Sequence, residues 1–222
     1  VEYCITKKRA GEAQGRVLRV LEPSSVEDRE NLCNFAGICG GCLYQSVGYQ
    51  HQLDIKEEQL KKLLKDEEFI WEGIQASPAV EGYRNKMEFS FGDQEKDGPL
   101  CLGLHQKRSF FNILNTEDCR LPHPDMGEIL LATRLYFQEK GLGYYHKKRH
   151  EGYLRHLLIR RAEKTGEILL SLVHSTQLPR EEEEKILRGW RDRLLSLEKE
   201  GKLEGSYAGI LHTKNDSLAD AV

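Results

Sequence analysis

Gly82-Tyr83-Arg84-Asn85-Lys86-Met87-Glu88-Phe89-Ser90-Phe91-Gly92 reads as a strand with one apolar and one polar face. Successive side chains of an extended chain point to opposite sides. Tyr83, Asn85, Met87, Phe89 and Phe91 therefore project one way, and Arg84, Lys86, Glu88 and Ser90 the other. Downstream, Asp97-Gly98-Pro99 is a turn, and residues 100–105 and 110–114 continue an antiparallel meander. A helix over 124–140 buries Met126, Ile129, Leu130 and Phe137 and stops at Gly141. Residues 154–161 and 167–175 form two strands around the hairpin signal Lys164-Thr165-Gly166. Pro179 opens a second long helix. Its acidic first turn, a solvated start carrying Glu181, Glu182, Glu183 and Glu184, suits the positive end of the helix dipole. Ile186, Trp190, Leu194 and Leu197 line one face, Gly201 ends the helix, and residues 203–213 are a last strand. Together these elements predict an α+β fold, an antiparallel sheet with helices on one side.

Upstream lies a different kind of signal. Cys33, Cys39 and Cys42 follow a C-x5-C-x2-C spacing, and Cys119 comes after a further 76 residues. Three thiolates in one short loop converge on one centre, and a tetrahedral metal or iron–sulfur site then takes one ligand from elsewhere. Gly40 and Gly41 let the backbone pass close to such a centre and aim N–H groups at sulfur. This spacing suits zinc and iron–sulfur equally. Cys4 and Cys101 have no partner pattern and read as plain core or surface residues. His105, His123 and His156 have no metal spacing, and His123, between two prolines, reads as a turn residue.

The 222 residues carry 33 Lys and Arg against 36 Asp and Glu, a net charge of -3. The chain is therefore not a globally basic nucleic-acid binder, and any RNA contact comes from local clustering. Residues 146–161 are the most basic stretch, with six Lys or Arg against one acid. Tyr144, Tyr145 and Tyr153 stand beside those cations and suit stacking on unpaired bases. No apolar run is long enough to span a bilayer, and no apolar leader is visible. With 31% charged residues, the chain reads as a cytoplasmic protein in a reducing compartment rather than a disulfide scaffold.

The ordered set Cys33-x5-Cys39-Gly40-Gly41-Cys42, Glu81-Gly82-Tyr83-Arg84-Asn85-Lys86, Leu102-Gly103-Leu104-His105 and Glu117-Asp118-Cys119 resembles the RNA uracil-5-methyltransferase family. Leu154-Arg155-His156-Leu157, Arg160-Arg161, Thr165-Gly166-Glu167 and Asn215-Asp216-Ser217 extend the resemblance from about residue 10 to the end. The family methylates uridine in ribosomal or transfer RNA with S-adenosylmethionine. In its ribosomal-RNA branch four cysteines hold a [4Fe-4S] cluster, which the resemblance carries onto Cys33, Cys39, Cys42 and Cys119. It implies that residues 1–22 are the last strands of a small β-barrel RNA-binding domain, poorly ordered or paired elsewhere once truncated. Residues 23–48 are then the cluster loop and 49–222 the central α+β domain. The helical stretch 49–75, with Tyr49, Leu53, Leu60 and Leu64 on one face, packs either on the central sheet or on a catalytic domain outside this chain.

In the family that catalytic domain follows the point where this chain stops, and no G-x-G-x-x-G cofactor turn occurs in these residues. The chain opens on Val1 rather than Met. It therefore reads as the front and middle of such an enzyme, inactive by itself and without catalytic or S-adenosylmethionine-binding residues. In the intact enzyme a cysteine thiolate adds to C6 of a flipped-out uridine, C5 attacks the cofactor methyl, and a base removes the C5 proton. The resemblance makes structured RNA the partner, ribosomal before transfer RNA, and implies no protein partner. Arg84 and Lys86, and with them Lys147, Lys148, Arg149, Arg155, Arg160 and Arg161, are the expected RNA contacts. The rival reading is a non-catalytic RNA adaptor in which the same four thiolates hold zinc.

Overall fold

The computed structural model describes residues 1–30 and 33–218. The chain divides into two compact units: Val1–Leu32 with Tyr44–Ala76, and Cys33–Leu43 with Ser77–Val222. The cysteine stretch thus belongs with the sheet, whereas the segments flanking it belong with the first unit.

In the first unit, β1 (Glu2–Arg9) and β2 (Glu12–Arg19) pair antiparallel around Gly11, whose φ of 78° suits a residue without Cβ. The two strands pair with each other as a hairpin, where the sequence predicts a segment poorly ordered or paired elsewhere. Every residue of both strands is exposed. Helix α1 (Tyr49–Leu63) follows, with Leu53 buried and Leu60 and Leu64 exposed. Its entry is tied down by the Gly48 N–H donated to Asp28 Oδ1 at 2.7 Å and by the Gln52 amide donated to the Tyr44 and Val47 carbonyls.

The second unit contains β3 (Lys86–Gly92), β4 (Cys101–His105), β5 (Ile113–Asn115), α2 (Pro124–Glu139), β6 (Leu154–Arg161), β7 (Glu167–His174), α3 (Arg180–Lys199) and β8 (Ser206–Lys214). Its six-stranded sheet runs β5-β4-β3-β6-β7-β8. The alternation read in the sequence is realised: Met87, Phe89 and Phe91 are buried, while Lys86 and Glu88 are exposed. Phe89, Leu157, Ile159, Leu170 and Leu172 meet Ile129, Leu130 and Phe137 of α2 and Ile186, Trp190 and Leu194 of α3 in one core. Burying each such side chain contributes about 1.5–3 kcal/mol. Two polar links fix the helices to each other. Trp190 Nε1 donates to Thr133 Oγ1 at 3.1 Å, and Tyr136 Oη donates to the Ile186 carbonyl at 2.8 Å.

One expectation is corrected here. The sheet is not wholly antiparallel, because β8 runs parallel to β7. The 20-residue α3 carries the chain back along the sheet to the end where β7 began. A helical crossover of that length is what parallel neighbours require. The helices cover one face only, so the opposite face is left open. Across it, Lys86, Arg160 and Leu169 form one row, and Glu88, Leu158, Ser171 and Leu211 the next.

Candidate nucleic-acid interface and cysteine site

The cysteine stretch is a chain of tight turns fastened to the end of β4. The Ala36 N–H donates to Cys33 O and the Cys39 N–H to Phe35 O, with Gly37 at φ 77° completing the turn. Cys39 bridges Gln106, and the Lys107 N–H donates to Ile38 O at 2.7 Å. Cys119 arrives from the connection between β5 and α2, its N–H donated to Thr116 O at 3.1 Å. A Cβ built on Gly127 of α2 would run into the Glu117 carbonyl oxygen, so this glycine lets the Cys119 loop lie against the helix.

All four cysteines are free thiols and half-buried. Burial pushes the Cys119 thiol up, and the charges of Cys42, Cys33 and Cys39 push it further. Burial likewise raises Cys39, with Cys42 and Cys33 adding to it, while the Gly41 N–H, 3.4 Å from Cys39 Sγ, acts in the opposite sense. The four sulfurs therefore lie within electrostatic reach of one another. Among the described residues, however, no three His, Cys, Asp or Glu side chains close around a point that would hold a metal ion. This neighbourhood disfavours thiolates, and a cationic centre would reverse that preference.

The expected RNA contacts separate into two groups. Arg84, Lys86 and Arg160 are exposed, and Lys86 lies directly across from Arg160. Lys147, Lys148 and Arg149 are exposed in the connection between α2 and β6. Arg155 and Arg161 are instead buried, which corrects their reading as surface phosphate contacts. Arg161 Nε donates to Asp125 Oδ2 at 2.9 Å, and that carboxylate also accepts the N–H groups of Glu204 and Gly205. Burial alone would raise the Asp125 pKa, but these donors hold it below the usual carboxylate range. Arg155 Nη1 donates to the carbonyls of Asn215 and Ser217 at 2.9 and 2.8 Å, and its guanidinium lies 4.4 Å from the Tyr145 ring centroid. It anchors the segment after β8.

The tyrosines are corrected as well. Tyr145 and Tyr153 are buried, the latter packed on His174 at 4.6 Å between centroids, and neither offers a face to a base. Tyr144 donates from its hydroxyl to Asp93 Oδ2 at 2.9 Å. Burial and this bond push its pKa up to about 12. Among the exposed aromatics, which also include Tyr3, Phe69 and Tyr83, are Phe110 and Phe111, read from sequence as strand residues but placed in the loop before β5.

The sequence also did not reveal a polar chain on the open face. Ser90 Oγ lies 3.4 Å from His105 Nε2 and 3.3 Å from His156 Nδ1, because Ser90 pairs with His156 in register and His105 lies on the neighbouring β4. Around it opens a cavity of about 380 Å³ whose rim includes Phe111, Lys148 and Arg149. His123 is the N-cap of α2, its ring accepting the Asp125 N–H, as a turn residue should. No helix among the described residues is long and apolar enough to cross a membrane.

No family model matches the chain. It is 41% identical over 221 residues to an uncharacterized RNA methyltransferase of Caldanaerobacter subterraneus, covering 98% of this chain and 47% of that protein. An uncharacterized RNA methyltransferase of Clostridium tetani is 41% identical over 223 residues, covering 98% and 46%. One of Clostridium acetobutylicum is 43% identical over 193 residues, covering 86% and 40%. The chain thus spans about half the length of the curated relatives it matches. Its fold is similar to that of the Pyrococcus abyssi tRNA (uracil-54, C5)-methyltransferase, solved with S-adenosyl-L-homocysteine. The TM-score is 0.65 at 20% identity, over 99% of this chain and 44% of that one. At this identity the likeness concerns the fold alone.

Proposed function

The chain belongs to the family of these RNA methyltransferases, and from that premise we propose that it is the RNA-gripping, cluster-bearing portion of an S-adenosylmethionine-dependent RNA uracil-5-methyltransferase acting on ribosomal RNA. The observation that carries this reading is the relation of this chain, over 98% of its length, to an RNA methyltransferase, supported by Cys119 lying within electrostatic reach of Cys33, Cys39 and Cys42 and by the exposed Lys86 and Arg160 on the open sheet face. The exposed cations Arg84, Lys86, Arg160, Lys147, Lys148 and Arg149 neutralise phosphates and set affinity without reading sequence. Arg155 and Arg161 act behind them, holding the strands in place.

The four cysteines are the ligands of a [4Fe-4S] cluster. Its iron would supply the positive charge that their crowded thiolates lack. The chain's own residues then do the structural work: the turns at 33–42 are joined to the sheet end through Gln106 and Lys107, and the loop at 119 lies against α2 at Gly127. Zinc is the alternative: one ion held by the same four thiolates at about 2.3 Å. On this reading the 222 residues alone transfer no methyl group, and the cysteine nucleophile and S-adenosylmethionine site belong to another part of the intact enzyme.

The test is made on the full-length protein purified anaerobically. Iron and acid-labile sulfide in equal amounts, with methyl incorporation into ribosomal but not transfer RNA transcripts, are expected. A colourless protein with one zinc per chain refutes the cluster, and methylation confined to transfer RNA refutes the substrate. Cys119→Ser should lower both cluster content and melting temperature; an unchanged melting temperature would show that the cluster is no structural clip.

A further inference from the structure

The cavity on the open face has a chemistry that phosphate gripping does not use. Its floor is small and polar, with the Ser90 hydroxyl between the imidazoles of His105 and His156. Such a floor offers both donors and acceptors. Its rim is aromatic and cationic. Phe110 and Phe111, 83% and 50% exposed, stand next to each other at the cavity and present a contiguous aromatic surface. Lys148 Nζ sits 4.8 Å from the Phe111 ring centroid, which holds the ammonium at the entrance. Lys147 and Arg149 flank it. At about 380 Å³ the space falls within the roughly 300–1,000 Å³ of small-ligand sites.

A flat ring surface, a hydrogen-bonding floor and three consecutive cations at the mouth match the three parts of a nucleotide: base face, base edge and phosphate. A paired base cannot present its edge to such a floor, because in an RNA helix the edges face the partner strand and the grooves. Among the described residues no cysteine lines the cavity, so it lacks the nucleophile that uridine methylation needs. We propose that this cavity captures a single unstacked nucleotide of the RNA other than the uridine to be methylated. Its base stacks on Phe110 and Phe111, its edge meets Ser90 and the two histidines, and its phosphate lies against Lys148. The cavity thereby selects RNA whose fold leaves a second base free. This inference rests on the RNA-binding reading above.

The test uses a short single-stranded RNA substituted with 4-thiouridine, and the same sequence annealed to its complement, with the full-length protein. Tighter binding of the single strand and photo-crosslinks at Phe110 or Phe111 are expected. The double variant Phe110→Ala, Phe111→Ala should lose roughly five- to hundredfold in single-strand affinity and nothing in duplex affinity. Both rings are exposed, so an unchanged melting temperature verifies the fold. Lys148→Ala should lower the slope of log affinity against log salt by about 0.7, the loss of one phosphate contact. RNA bound with equal affinity by wild type and the phenylalanine variant, or crosslinks confined to other residues, would overturn the capture site while leaving the grip on the open face standing. Failure to bind either RNA would overturn both.

Discussion

Lys86 on β3 and Arg160 on β6 stand directly opposite each other in the antiparallel register, both exposed on the face of the sheet that the helices leave open. Like charges placed so destabilise a sheet, so the pair works against folding, and the phosphate contact proposed for it would offset that cost. Lys86→Thr should therefore stabilise the protein by about 0.2–1 kcal/mol while weakening RNA binding and reducing its salt dependence. Denaturant melts and a salt titration of RNA affinity check the two halves. Weaker folding together with unchanged RNA affinity would remove the pair from the interface.

Gly127 couples helix α2 to the loop of Cys119. Gly127→Ala adds the methyl that collides with the Glu117 carbonyl oxygen. Alanine should gain about 1 kcal/mol of helix propensity, yet the backbone clash outweighs it. The expected result is lower stability and displacement of Cys119, read as reduced iron content although all four cysteines are intact. A more stable variant with full iron content would show that the loop yields without disturbing the site.

Asp125 joins the start of α2, the end of β6 and the turn before β8. Asp125→Asn leaves Arg161 buried without its counter-charge and should cost about 3–5 kcal/mol. The same carboxylate supplies an acid-labile share of stability. Its folded pKa is depressed, so the contribution is full above the usual carboxylate range and disappears as pH falls through the folded value. Urea melts of wild type between neutral and acidic pH should show this loss, and the Asn variant should lack that part of the slope.

His174 adds a second acid response at higher pH. Its Nδ1 lies 2.8 Å from the Ser175 carbonyl and its Nε2 3.0 Å from His212 Nδ1, with Glu183 3.6 Å away and Lys214 paired to that glutamate. Burial holds its pKa below the usual 6.5. The unfolded chain takes up this proton first, so stability should be full above about 6.5 and decline as pH falls toward the folded value. His174→Gln should flatten the stability profile in that interval. A profile identical to wild type would assign the acid response to other groups.

Much of this architecture was legible before folding was considered. Met87, Phe89 and Phe91 alternate with Lys86 and Glu88, and the core positions of α2 and α3 recur at helical spacing, because each pattern reflects local backbone geometry. The burial of Arg161 follows the same alternation as Leu157 and Ile159, but a charge at such a position reads as surface because the Asp125 carboxylate that pairs with it lies 36 residues away in sequence. The direction of β8 was not legible, since a strand's periodicity is the same whichever way it runs.

The sequence by itself determined the elements, the sheet's apolar face and the cysteine spacing, all of which depend on near neighbours along the chain. Tertiary structure alone decided that Ser90 stands between two histidines from different strands, and that Phe110 and Phe111 face solvent at a cavity rim. These are relations between residues tens of positions apart. They arise only when strand pairing and helix packing set the register, because no local periodicity encodes which distant side chain will lie opposite.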